Sequence, residues 1–225
     1  MPIPANALVM MVKAPIAGTV KTRLVPPLTH DQAAGLYRAM LSDQLEHLRA
    51  LTNADLYLAF TPIEAAPLLE EIAPADFRCF PQHGNDLGER MSGVFDDLWS
   101  REYSAIILIG SDLPGLPLSF IQGAFQILAT RGNRMVLGPS RDGGYYLIGM
   151  NQPTPEVFEN MTWSHSQVLA QTLERLRAMS INPELLPAWF DLDTPDDLKE
   201  LQSCSDLTTR NAMKQTLKFL ETFNL

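Results

Sequence analysis

The chain has 225 residues, of which 46% are hydrophobic and 19% are charged. This composition is typical of a folded globular protein rather than a disordered one. A chain of this length buries roughly 70–75% of its unfolded surface, so we expect one domain over residues 1–225. The net charge of −9 opposes binding to a phosphate backbone, so nucleic acid is not an expected partner.

No segment of the sequence predicts a membrane span. The apolar run at residues 7–12 is too short to cross a bilayer or to form the core of a secretory leader. Cys79 and Cys204 lie far apart and in no metal-binding spacing, which predicts reduced thiols. We therefore expect a cytoplasmic protein.

Apolar runs of strand length alternate with segments of helical periodicity along the chain. The first segment, residues 7–12, is apolar throughout, as is typical of a strand buried on both faces. Thr29 and Gln32 have the spacing of a capping box and predict the start of a long helix. Further strands are predicted at residues 55–60, 77–80, 105–109, 135–137 and 145–150, and further helices at residues 65–72, 87–99, 118–129, 166–179 and from 195 onward.

This alternation predicts an α/β fold of three layers, with a Rossmann-like, mostly parallel sheet and helices on both faces. In such open sheets, ligands bind outside the carboxyl ends of the strands. Lys13 follows the first predicted strand and Asp112 follows the strand at residues 105–109. These two strand ends therefore mark the expected site.

The loop after the first strand carries a cluster of positive charge. It contains Lys13, Lys21 and Arg23, together with Gly18, whose missing side chain lets backbone N–H groups approach a ligand. In an acidic protein this cluster predicts a phosphate-binding loop, and a solvated surface loop is the alternative. The spacing of a P-loop and that of a dinucleotide-binding fingerprint are both absent from the sequence.

Asp112 ends the most apolar strand and precedes Leu-Pro-Gly, so its carboxylate lies where the chain turns out of the sheet. Carboxylate oxygens suit Mg²⁺ or Mn²⁺, and Mg²⁺ needs only one or two of them beside substrate phosphates. Capping of the following turn is the alternative role. Asp191 and Asp193 are weaker candidates, because residues 193–197 also have the pattern of a helix start.

Two other segments carry polar groups suited to a ligand. Asp86 and Arg90 lie at a helix start, a position that favours a nucleotide, with capping as the alternative. Asp142 precedes two glycines that indicate either a tight hairpin or close approach to a sugar.

Five motifs resemble those of a bacterial family, and together they span nearly the whole chain. They are Lys-Ala-Pro-x-x-Gly-x-Val-Lys-Thr-Arg-Leu from Lys13, Gly-x-Asp-Leu-Gly-Glu-Arg-Met from Gly84, Gly-Ser-Asp-x-Pro-Gly from Gly110, Asp-Gly-Gly-Tyr-Tyr-Leu-Ile-Gly from Asp142 and Asp-Leu-Asp-Thr-Pro-Asp-Asp-Leu from Asp191. The family belongs to the glycosyltransferase-A-like, or nucleotide-diphospho-sugar transferase, superfamily. Its relatives include the guanylyltransferase of deazaflavin-cofactor synthesis and the molybdenum-cofactor nucleotidyltransferases.

The resemblance implies roles for the candidate residues. Phosphates would bind to Lys13, Lys21 and Arg23. Mg²⁺ or Mn²⁺ would bind to Asp112 together with Asp193 and Asp191. The nucleotide would lie over the N-terminal half, where Asp86 and Arg90 would face it.

The implied activity is that of a transferase, and three functions stay open. The first is a metal-dependent glycosyltransferase that takes a nucleotide-diphospho-sugar donor, with Lys21 or Arg23 stabilising the leaving group and Asp142 as a base. The second is a nucleotidyltransferase that moves a nucleoside monophosphate from a triphosphate to a phosphorylated small molecule. The third is a nucleotide-binding module without catalysis. The lone acid Asp112 departs from the Asp-x-Asp common in glycosyltransferases of this fold and weighs against sugar transfer.

Overall fold

The structure is a computed structural model and describes residues 6–222; residues 1–5 and 223–225 lie outside the described range. Within that range, seven strands form one sheet. The strands are β1 (Asn6–Lys13), β2 (Asp55–Thr61), β3 (Phe77–Pro81), β4 (Ala105–Ile109), β5 (Met135–Pro139), β6 (Tyr145–Met150) and β7 (Glu184–Leu185).

The strand order across the sheet is β3-β2-β1-β4-β6-β5-β7. β1 pairs in parallel with β2 and with β4, and β2 pairs in parallel with β3. β6 runs antiparallel to β4 and to β5, whereas β7 is parallel to β5. The predicted mostly parallel sheet is confirmed, and all five residues of its middle strand, β4, are buried.

The helices within residues 6–222 follow the predicted segments closely. They are α1 (His30–Leu48), α2 (Ala66–Ile72), α3 (Leu87–Trp99), α4 (Leu118–Leu128), α5 (Val168–Ala178), α6 (Pro195–Ser203), α7 (Leu207–Asn211) and α8 (Lys214–Leu220). The capping box of α1 is formed, because Thr29 Oγ1 accepts the Gln32 N–H and the Gln32 side chain accepts the Thr29 N–H. None of these helices is long and apolar enough to cross a membrane.

The core lies on both faces of the sheet, which confirms the three layers. On one face, side chains of α1, α2 and α4 such as Leu41, Leu69 and Phe125 pack on the strands. On the other face, α3 and α5 contribute residues such as Phe95 and Leu176. A third apolar cluster joins α1 to the C-terminal helices α6 and α8. The carboxyl ends of β1 and β4 are left uncovered between these layers and open into the cavities described next.

Candidate functional site

Two adjoining cavities open at the carboxyl ends of the strands. The basic cavity has a volume of about 410 Å³ and is lined by Lys13, Lys21 and Arg90 among others. The acidic cavity has a volume of about 330 Å³, and its lining includes Asp142 and Asp191. Both cavities share the wall formed by Leu87, Gly110, Asp112 and Asp193. The two strand ends singled out in the sequence therefore border one continuous cleft.

Lys21 joins the two acids of the shared wall. Its Nζ lies 2.8 Å from Asp112 Oδ2 and 2.8 Å from Asp193 Oδ1. The Lys21 side chain is only 4% exposed, whereas those of Asp112 and Asp193 are 31% and 37% exposed. An ammonium group has three N–H donors. Two are used by the carboxylates, and one remains for a ligand in the basic cavity.

Electrostatics keep Lys21 charged in spite of its burial. Burial lowers the pKa of Lys21, but the adjacent carboxylates of Asp112 and Asp193 outweigh this effect and leave the pKa above its ordinary value. The backbone of Lys21 adopts a left-handed conformation, with φ of 49°, at the start of a short 3-10 helix. The loop is thus folded so that the side chain of Lys21 is buried and stays positively charged.

The segment of Asp191 and Asp193 is held against the end of β4 by a backbone hydrogen bond. The Leu192 N–H donates to the Asp112 carbonyl oxygen at 3.1 Å, and Leu192 is fully buried. Thr194 is the N-cap of α6, and the carboxylate of Asp197 accepts backbone N–H groups from Asp193 and Thr194. The helix start predicted at this point is present, and it places Asp193 in the site.

Asp191 lies among negative groups on the acidic side. Burial and the neighbouring carboxylate of Asp112 raise the pKa of Asp191 to about 7, although a hydrogen bond from Ser140 Oγ counteracts them. Asp142 and Asp193 also contribute to the higher pKa of Asp191. This concentration of carboxylates favours a bound cation.

Asp112 and Asp193 of the shared wall and Asp191 of the acidic cavity offer only oxygen ligands, which fits a hard divalent cation. Both oxygens of Asp193 face a cation, because Oδ1 is paired with Lys21 and Oδ2 lies 3.7 Å from Arg23 Nη1, whereas Asp112 is paired with Lys21 through Oδ2 alone. Residues 6–222 contain no cluster of three metal-ligating side chains of His, Cys, Asp or Glu. Asp112 and Asp191 are therefore the two carboxylates best placed for Mg²⁺ or Mn²⁺, and substrate phosphates and water would have to complete its ligands.

The other residues predicted in the first loop lie in different settings. Lys13, at the end of β1, is exposed and lines the basic cavity. Arg23 is 69% exposed and reaches toward Asp193. Gly18 has φ of +79°, a conformation that favours glycine, but it is not among the residues lining either cavity. The loop therefore offers Lys13 and Lys21 to the cavity directly.

The two residues predicted at the start of α3, Asp86 and Arg90, have different surroundings in the structure. Arg90 lines the basic cavity, and its Nε donates to the Gly84 carbonyl oxygen at 3.1 Å. Asp86 is instead the N-cap of α3, where its Oδ1 accepts the Glu89 N–H at 2.9 Å. Asp86 is not among the residues lining either cavity, so the structure places it in the capping role that was the alternative.

Asp142 stands in the turn between β5 and β6, which is the tight hairpin that its two following glycines indicated. Its Oδ1 accepts the Gly144 N–H at 2.9 Å, and its side chain lines the acidic cavity. Gly143 is required here, because it has φ of +91° and a Cβ at this position would lie 2.1 Å from the Ser166 carbonyl oxygen. The hairpin therefore packs directly against the loop that carries Trp163 and His165, both of which line the acidic cavity.

Several residues of the site carried no signal in the sequence. Tyr37 lines the basic cavity, its OH lies 2.6 Å from Ser111 Oγ, and Lys21 Nζ lies 5.8 Å from its ring centroid. Burial raises the pKa of Tyr37, so its OH stays protonated. Thr61 and Gln82 line the same cavity at the ends of β2 and β3. Each comes from an ordinary helix or strand end, and only the fold brings them together.

Comparison with known proteins places these features in a family. Residues 44–165 match the family described as an uncharacterized protein conserved in bacteria (DUF2064). A protein from Desulfovibrio desulfuricans G20, provisionally described as a nucleotide-diphospho-sugar transferase, superposes with a TM-score of 0.90 at 32% identity, over 98% of this chain and 95% of that chain.

Two further proteins show similarity. The phosphoenolpyruvate guanylyltransferase of Sphaerobacter thermophilus is 26% identical over 185 residues, which cover 81% of this chain and 86% of that protein. The structure of a cytidylyltransferase from Leptospira borgpetersenii superposes with a TM-score of 0.63 at 14% identity, over 97% of this chain and 94% of that chain. At that identity the second likeness concerns the fold alone.

Proposed function

This chain belongs to the DUF2064 family and has the nucleotide-diphospho-sugar transferase fold, and on that premise we propose that it is a nucleotidyltransferase. It would move a nucleoside monophosphate from a nucleoside triphosphate to a small acceptor. The observation that carries the proposal is the pairing of Asp112, the lone acid at the end of β4, with the buried cation Lys21. The resemblance to a guanylyltransferase supports this choice over sugar transfer.

The basic cavity is suited to the triphosphate of the donor. Lys13, Lys21 and Arg90 present three cations to one space, and a triphosphate carries more negative charge than the diphosphate of a sugar nucleotide. The third N–H of Lys21 is aimed by the two carboxylates that hold the other two. A donor group fixed in this way stabilises developing charge without reorganising during the reaction.

In the proposed reaction, an oxygen of the acceptor attacks the α-phosphorus of the donor in line. A new phosphorus–oxygen bond forms, the bond from the α-phosphorus to the bridging oxygen breaks, and pyrophosphate leaves with the bonding electrons. Lys21 donates a hydrogen bond to the phosphate oxygens, and Lys13 and Arg90 hold the departing end. A bound Mg²⁺ or Mn²⁺, with Asp112 and Asp191 as its protein ligands, would neutralise further phosphate charge.

The acidic cavity is suited to the body of the acceptor. None of the described residues that line it is a lysine or arginine, whereas Asp142 and Asp191 both are part of its wall. A carboxylated acceptor would meet like charge here, so we propose an acceptor whose body is uncharged. Its attacking phosphate would lie at the shared wall beside the buried cation Lys21.

Glycosyl transfer is the second candidate, and two observations favour it. The chain is 32% identical to the protein provisionally described as a nucleotide-diphospho-sugar transferase. In addition, Asp142 is exposed in the acidic cavity, where a carboxylate could accept a proton from an acceptor hydroxyl. In this function the sugar of the donor would occupy the acidic cavity.

The products separate these functions. The purified protein is incubated with each of the four nucleoside triphosphates, or with a set of nucleotide sugars, in the presence of phosphorylated and hydroxyl acceptors, with and without Mg²⁺ or Mn²⁺. We expect release of pyrophosphate from a triphosphate, dependent on the metal. Release of a nucleoside diphosphate from a sugar nucleotide, without release of pyrophosphate from any triphosphate, would establish glycosyl transfer instead. Binding without turnover in every combination would support the non-catalytic module.

A further inference from the structure

Gln82 is anchored at the far side of the basic cavity from Asp112. Its Nε2 donates to the Ala59 carbonyl oxygen at 2.7 Å and to the Val12 carbonyl oxygen at 3.3 Å. The backbone N–H of Gln82 donates to the Phe60 carbonyl oxygen at 2.7 Å. The side chain thus reaches across the end of β2 to the neighbouring end of β1.

These contacts fix which end of the amide faces the cavity. A primary amide has two N–H donors and one carbonyl oxygen. If the amide were turned over, Oε1 would face two main-chain carbonyl oxygens, and acceptors repel one another. Oε1 of Gln82 accepts no hydrogen bond from any residue between 6 and 222, yet Gln82 lines the cavity. Gln82 therefore presents a fixed hydrogen-bond acceptor to a ligand.

Gln82 lies where we expect the nucleobase of a donor whose phosphates lie near Asp112. In the sheet, β2 and β3 lie on the opposite side of β1 from β4. Three strand spacings, about 14 Å, therefore separate the end of β3 from Asp112, which follows β4. At the ends of β1 and β2 the same cavity is lined by Met11, Val12 and Thr61, that is, by apolar surface and one hydroxyl.

We infer that Gln82 recognises the nucleobase of the donor by accepting hydrogen bonds from it, and that the preferred base is guanine. Guanine is the base that carries two adjacent N–H donor groups, N1–H and the 2-amino group, and one carbonyl oxygen has two lone pairs to receive them. A fixed acceptor such as Oε1 of Gln82 discriminates against bases that place an acceptor opposite it, because neither acceptor then has a donor. This inference rests on the proposed nucleotide-binding function.

The test compares ligands with and without a base. Calorimetry measures the binding of GTP, ATP, CTP, UTP and inorganic tripolyphosphate to the wild-type protein and to Gln82→Met. We expect GTP to bind the wild type most tightly. Gln82→Met should weaken GTP binding about ten-fold and narrow the preference over ATP, while tripolyphosphate affinity stays within about two-fold.

Gln44→Met is the matched control. Gln44 also donates to a main-chain carbonyl at a strand end, Gly110, at 3.0 Å, but it lines neither of the two cavities. We expect it to leave the preference among the bases unchanged. Equal weakening of GTP and tripolyphosphate by Gln82→Met would overturn the inference, because Gln82 would then only support the strand ends.

The wild-type protein alone provides a second measurement, independent of how the variant folds. Inosine triphosphate lacks the 2-amino group of guanine, so we expect it to bind several-fold more weakly than GTP. Equal affinity for the two, or no preference among the four bases while tripolyphosphate binds, would overturn the base assignment and leave the proposed function standing. Failure of every triphosphate and of tripolyphosphate to bind would overturn the proposed function as well.

Discussion

The two cavities meet at Asp112 but have opposite character. The basic cavity receives Lys13, Lys21 and Arg90 from the parallel half of the sheet and its helices, whereas the acidic cavity is bordered by Asp142 of the β5–β6 hairpin and by Asp191. We therefore expect a ligand that spans both cavities to be strongly anionic at one end and to carry no negative charge at the other. Substitutions can perturb each cavity separately, whereas a substitution in the shared wall should affect ligand binding in both cavities.

The largest effect is expected at the shared wall. Asp112→Asn removes one of the two charges that pair with Lys21 and one of the two proposed metal ligands, so turnover should fall at least about 100-fold. Pyrophosphate release under saturating substrate, on protein shown to be folded by circular dichroism, measures this. Activity within ten-fold of the wild type would remove Asp112 from the catalytic site.

Asp86→Asn is the matched control for this change. It also removes one carboxylate charge, but asparagine caps a helix as well as aspartate does, so α3 should be preserved. We expect turnover within about two-fold of the wild type. A large loss of nucleotide affinity in this variant would instead restore the interpretation that Asp86 faces the nucleotide.

A smaller effect is expected on the basic side. Lys21→Met removes a charged hydrogen-bond donor, so triphosphate affinity should fall about ten- to a hundred-fold. Asp112 and Asp193 lose their shared cation, and the free energy of unfolding should fall by about 1–3 kcal/mol. Calorimetry and urea denaturation measure the two quantities.

Lys13→Met serves for comparison on this side, because Lys13 is exposed and makes no ion pair with another residue in the range 6–222. We expect its loss of affinity to stay below about five-fold and its stability to be unchanged. If both lysine variants behaved alike, burial of Lys21 would have no part in binding.

The smallest effect is expected on the acidic side. Glycerol 3-phosphate carries a hydroxymethyl group where 3-phosphoglycerate carries a carboxylate. In the presence of donor, the wild type should therefore bind glycerol 3-phosphate more tightly than 3-phosphoglycerate. Asp142→Asn keeps the acceptor atom for the Gly144 N–H but removes the charge, so it should narrow this difference about two- to five-fold. Donor affinity should not change. Tighter binding of 3-phosphoglycerate by the wild type would contradict the proposed uncharged acceptor body.

Much of the fold could be predicted from the sequence, because it depends on local patterns. Continuous apolar runs marked the buried strands, and the capping box at Thr29 and the pattern of residues 193–197 marked helix starts that the structure contains. The short strand β7 was not predicted, since it has only two residues and both are exposed. Its place in the sheet depends on pairing with β5 rather than on its own sequence.

The site was less predictable, for a physical reason. The rule that ligands bind at strand ends located Lys13 and Asp112. No local pattern indicates that Lys21 lies between Asp112 and Asp193, or that the amide of Gln82 is anchored to two other strands. The roles of Asp86 and Arg90 could not be separated either, because whether a polar side chain caps its helix or faces a cavity depends on where the helix points.

The ion pairs of Lys21 have a consequence for synthesis of the chain. Lys21 and Asp193 are 172 residues apart, and Asp193 belongs to a segment held on β4 by Leu192. While the ribosome is still making the last third of the protein, Lys21 lacks its second partner, and burying it then would be unfavourable. The N-terminal strands can pair early, but the basic loop should close only after residue 193 has emerged. When nascent chains of increasing length are treated with a lysine-modifying reagent, Lys21 should therefore stay reactive until residue 193 has emerged.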